Sequence, residues 1–120
     1  MKKTLTLIVF WSVLTVTSMS YAHPPSDINI TFDPKTKMLE AVIVHNTNNP
    51  INHYINKVDI SLNGKEIITH MISREDNNQT QTVRYFIPDI KDGDVISVEG
   101  YCSISGKLKK GMTIRELIGG

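Results

Sequence analysis

Four side chains in this sequence are of the kind that hold metal ions: His23, His45, His53 and Cys102. Imidazole is the commonest side-chain metal ligand, and a thiolate is a soft donor for iron, copper or zinc. His45 and His53 stand at the two rims of one polar loop, within the stretch HNTNNPINHYINKVDISLNG that runs from His45 to Gly64. Between them lie Asn46, Asn48, Asn49, Pro50 and Asn52, residues that favour turns for separate backbone reasons. Two imidazoles at the mouth of a β-scaffold make a candidate metal site; the plainer reading is two polar residues at strand ends. Cys102 is the only cysteine, so no intramolecular disulfide can form. It is a buried structural thiol, half of an intermolecular bridge, or a ligand, and its parity with Ile96 and Val98 turns it inward as a small hydrophobe. His70 falls in mid-strand with no partner signal and receives no role.

His23 owes its interest to what precedes it. Lys2 and Lys3 lead into an apolar run from Leu5 to Val16, and Ser20-Tyr21-Ala22 follows with small residues at the two positions a signal peptidase reads. Residues 1–22 therefore read as a secretory signal peptide, and the apolar run is too short for a comfortable membrane span. Cleavage after Ala22 makes His23 the first residue, carrying both an α-amine and an imidazole. Those two nitrogens can grip one Cu(II). Pro24 and Pro25 have no backbone N–H, so a chelate built on successive amide nitrogens is excluded. The alternative for His23 is an ordinary solvated terminus.

The elements that must position these residues are short strands. Ile28, Ile30 and Phe32 alternate with polar neighbours. Met38 to Val44 is an apolar strand with Leu39, Ala41, Ile43 and His45 on one face. Val58, Ile60 and Leu62 alternate with Lys57, Asp59 and Ser61, and Asn63-Gly64 supplies a tight hairpin. Lys65 to Ser73 returns, REDNNQT from Arg74 is a polar connection with no apolar residue to bury, and Gln81 to Ile87 and Val95 to Ile104 are further strands. Gly106 and Gly111 bracket a basic turn, and Met112 to Ile118 is a last strand or terminal turn. No segment after residue 22 has a helical period. The expectation is an all-β protein, an immunoglobulin-like antiparallel β-sandwich of about seven strands spanning residues 23–120.

Charge is near balance, with 13 basic and 12 acidic residues in the whole sequence. No basic patch or aromatic interleaving points to nucleic acid, and no second hydrophobic segment points to a membrane span once the leader is gone. The expected compartment is the periplasm or the exterior.

Taken together, HNTNNPINHYINKVDISLNGKEI and GYCSISGKLKKG resemble the iron-binding domain of the desulfoferrodoxin and superoxide reductase family. In that family a histidine opens a loop, a second stands in an HYI-like motif at a strand start, and a late strand carries a YCNxHG-like motif. His45, His53-Tyr54-Ile55, and Tyr101-Cys102 with Gly106 match these in turn. The resemblance implies an immunoglobulin-like sandwich holding a mononuclear iron, with four histidines in a plane and one axial cysteine, that reduces superoxide to hydrogen peroxide. It makes His45 and His53 equatorial ligands and Cys102 the axial one, with His23 standing where the first ligand would be. The last histidine of the motif falls at Ser105, a poor ligand for Fe(II). Three readings follow: an iron-binding member of this family with reduced or lost reductase activity, served by a redox partner or small molecule; a non-catalytic carrier module akin to the sandwiches of thiosulfate oxidation; and a copper-binding protein that uses His23.

Overall fold

The computed structural model describes residues 23–115, and the proposed signal peptide lies outside them. Seven strands follow one another: β1 (Asp27–Asp33), β2 (Met38–Val44), β3 (Ile55–Leu62), β4 (Lys65–Met71), β5 (Thr80–Phe86), β6 (Val95–Cys102) and β7 (Lys107–Thr113). They form two antiparallel sheets, β1-β2-β5 and β4-β3-β6-β7. Among the described residues there is no helix, and hence none long and apolar enough to cross a membrane. The protein is an all-β sandwich, as the alternating pattern requires.

Strand periodicity sets the core. In β2, Leu39, Ala41 and Ile43 are fully buried while Met38, Glu40, Val42 and Val44 are half-covered. From the facing sheet Val58, Ile60, Ile96 and Val98 meet them, and Ile28 and Val83 complete the contact from β1 and β5. Each buried Ile or Val removes enough apolar surface to contribute about 1.5–3 kcal/mol. The β3–β4 hairpin turns at Asn63 and Gly64, whose φ values of 51° and 86° give the doubly left-handed turn that the right-handed strand twist prefers. Asn63 also ties this hairpin to β6: its Oδ1 accepts from Val95 N at 2.9 Å and its Nδ2 donates to Asp94 Oδ1 at 3.1 Å.

Two segments differ from the sequence expectation. The basic stretch after Gly106 is strand β7, not a turn, and it pairs with β6 over its whole length. Its lysines lie along an outer sheet edge, where charge discourages pairing with another chain, while Leu108 and Met112 pack against the core. The expected strand to Ile118 lies partly outside the described residues. The polar connection after Arg74 does bury something: Glu75 is 1% exposed, inside the end of the sandwich.

Candidate metal centre

At that end of the sandwich three histidine rings converge. One ligand nitrogen from each of His23, His45 and His53 lies within 4.8 Å of the others. The ring centroids are 5.0 Å apart for His23 and His45, 5.2 Å for His23 and His53, and 4.8 Å for His45 and His53. Exposure is graded across the group: His45 is fully buried, His53 half-buried and His23 exposed.

Each ring is brought there by a local device. His45 continues the inward parity of β2 one step past its end, and its N–H donates to Gln79 O at 2.9 Å, prolonging the β2–β5 pairing. His53 closes the polar loop. Asn49 organises that loop, its carbonyl accepting from His53 N at 2.8 Å and its side-chain oxygen from Ile51 N at 3.2 Å. This is the backbone-mimicking habit of Asn in turns. Tyr54 and Ser103 then lock the loop to the β6–β7 turn, with Ser103 N donating to Tyr54 O at 2.7 Å and Tyr54 N to Ser103 Oγ at 3.1 Å. A register shift between Ile55 and Lys57 in the β3–β6 pairing sits immediately beyond. Such irregularities re-aim side chains beside functional sites.

His23 is placed by the segment after it. Ser26 N donates to Val44 O at 2.8 Å and Pro25 is buried. Pro24 lies over Gly106, where an added Cβ would come within 2.9 Å of Pro24 N. Gly106 has φ of +88°, so it both makes the turn and leaves the space that Pro24 fills.

The hydrogen bonds around the rings decide which nitrogens are free. Glu75 Oε1 accepts from His45 Nδ1 at 2.7 Å and from Ile55 N at 3.0 Å, and Glu75 N donates to Pro50 O at 3.0 Å. A carboxylate only accepts, so this contact calls for a proton on His45 Nδ1, which in the neutral ring leaves the lone pair on Nε2. His45 Nε2 and His53 Nε2 are both buried with no hydrogen-bond partner. Buried polar atoms rarely go unpaired, and both of these belong to rings of the close three-histidine group. A carboxylate behind a histidine is the kind of outer partner that metal-bound histidines commonly have, and here it fixes the orientation of the His45 ring. Burial, then the neighbouring His45 and His23, hold the pKa of His53 below the ordinary histidine value, which keeps its lone pair available near neutrality.

The residues proposed as ligands are thus divided. His23, His45 and His53 come together; Cys102 does not join the group of mutually close donors. It is a buried free thiol, with its Cα in register with Ile55 and its N–H donating to Gly106 O at 3.0 Å. Ser105 is exposed. His70 lies on β4, its Nδ1 2.8 Å from the Tyr85 hydroxyl. Glu75 is the participant that sequence reasoning missed. One acid among the polar residues of REDNNQT carries no local sign of burial, and only its long-range partners distinguish it.

The three histidines lie close enough together to bind a metal ion. Neutral imidazoles suit zinc, copper, nickel and iron. No family model matches this chain, and no curated protein matches it.

Proposed function

We propose that this chain is an exported metal-binding β-sandwich whose centre is the His23, His45 and His53 group, with Glu75 orienting His45. The observation that carries the reading is the pair of buried, unpartnered Nε2 atoms on His45 and His53, beside a third ring at ligand distance. A buried carboxylate stands behind His45, and a cation among the rings is a favourable partner for such a group. Three protein donors leave further coordination positions for another ligand, the arrangement that binding or reactive centres use and closed structural sites do not.

Iron of the superoxide reductase type is the reading implied by the resemblance, and it requires the Cys102 thiolate on the metal. The all-nitrogen character of the grouped donors favours copper over that reading, since Cu(II) heads the divalent affinity order for nitrogen ligands. Metal titration of the exported protein discriminates. The expected outcome is about one ion per chain, with affinity lowered by His45→Ala and His53→Ala and unchanged by Cys102→Ser. A thiolate-to-iron charge-transfer band that disappears in Cys102→Ser would return the iron–thiolate centre to first place. A colourless protein that takes up no metal would favour the non-catalytic carrier module.

A further inference from the structure

We propose that the α-amine of His23, freed when the leader is removed after Ala22, is a fourth nitrogen ligand of this centre, and that the processed site selects copper. This rests on the three-histidine reading above. The amine and Nδ1 of one histidine close a chelate ring on a single ion, so wherever the His23 ring goes its amine is tethered within reach. The ring goes to His45 and His53, at centroid distances of 5.0 and 5.2 Å.

The segment behind it is fastened up to the neighbouring residue. Pro24 packs over Gly106, a Cβ on Gly100 would stand 3.7 Å from Pro25 Cγ, and Ser26 N pairs with Val44 O. The residue that carries this nitrogen is exposed, with its ring beside those of His45 and His53. Pro24 and Pro25 contribute no amide N–H, so neither of the next two backbone nitrogens competes with the amine. In this structure His23 Nδ1 lies 3.1 Å from Pro24 O, and chelation through Nδ1 and the amine requires the ring to leave this exposed contact.

In the precursor the same nitrogen belongs to a peptide bond, its lone pair delocalised into the carbonyl. Cleavage converts it from a non-donor into an amine. Three imidazoles and an amine make a four-nitrogen set of the kind Cu(II) takes in tetragonal geometry. Copper loading is thereby tied to export: the complete ligand set exists only in the processed chain.

The test compares the chain exported with its own leader against the same chain carrying a Gly-Ser-Gly-Ser insertion between Ala22 and His23. A single added residue is unsuitable, because its amine and the His23 amide would build a new chelate. N-termini are read by mass spectrometry, and Cu(II) affinity by competition with a chromophoric chelator. The expected result is a native chain beginning at His23 that binds Cu(II) roughly 100-fold more tightly than the extended one, the scale of advantage a tethered donor gives. Its EPR spectrum should carry one more coupled nitrogen. Equal affinities that both fall in His45→Ala overturn the amine and leave the three-histidine centre standing, and a native chain beginning elsewhere also overturns the amine. Affinities indifferent to His45→Ala in both forms overturn the three-histidine reading and the amine with it. His53→Ala, at a half-buried loop position, replaces His45→Ala if that variant does not fold.

Discussion

Glu75 does its work through one oxygen. Oε1 lies 2.7 Å from His45 Nδ1 and accepts from Ile55 N at 3.0 Å, so it orients one ring and anchors the start of β3. Its other oxygen is buried without a partner. Glu75→Gln retains an acceptor and nearly the same shape but removes the charge. Metal affinity is expected to fall by about 10–100-fold, the range for loss of an outer partner of a ligating histidine. Isothermal titration of the two proteins with the same ion measures this, and an unchanged affinity would remove Glu75 from the site. At the same scale, the inward parity of Cys102 with Ile96 and Val98 was legible from spacing and holds, since all three are buried. His23 and Cys102 were both candidates to stand beside the two loop histidines, and which of them joins could not be read from spacing, because it depends on contacts between residues far apart in the chain.

At the scale of elements, the site is made from the ends of strands and the turns between them. β2 delivers His45, the loop into β3 delivers His53, the segment into β1 delivers His23, and the β4–β5 connection delivers Glu75. The β6–β7 turn is the piece that holds two of these: Ser103 clasps Tyr54, and Gly106 seats Pro24. Gly106→Ala tests the second clasp. A Cβ there meets backbone at 2.9 Å and sits on a left-handed residue. Left-handed backbone costs a non-glycine residue about 1–2 kcal/mol. The expected outcome is a modest loss of stability with a larger loss of metal affinity, because the core is untouched while His23 is pushed away. Thermal denaturation without metal and titration with metal separate the two effects. The strand that sequence reading took for a turn, β7, belongs here as well. Its lysines looked like loop composition, yet an outer sheet edge asks for them.

For the whole molecule the consequence is a cross-link. His45 follows β2 and His23 precedes β1, both strands of the β1-β2-β5 sheet, whereas His53 leads into β3 of the β4-β3-β6-β7 sheet. An ion held by all three bridges the two halves of the sandwich at one end. Binding to the native state alone stabilises it by about 2.7 kcal/mol at a free metal concentration a hundred times the dissociation constant. For a domain of this size each kcal/mol moves the melting temperature by roughly 4–8 °C. A rise of that order on metal addition, reversed by a chelator and absent in His53→Ala, is expected in calorimetry. A melting temperature indifferent to metal would argue that the ions seen in titration bind elsewhere.

The sequence by itself determined strands β1 to β6, the hairpin at Asn63-Gly64 and the inward face of β2 through His45. Each depends on period-two alternation or on residues that accept a left-handed backbone, and these act between near neighbours. Tertiary structure alone decided that His23 joins His45 and His53, that Glu75 stands behind His45, and that Cys102 is not one of the mutually close donors. Those outcomes follow from how two sheets stack and how three separate turns meet at one end, and no local pattern encodes the distance between residues 23, 53 and 75.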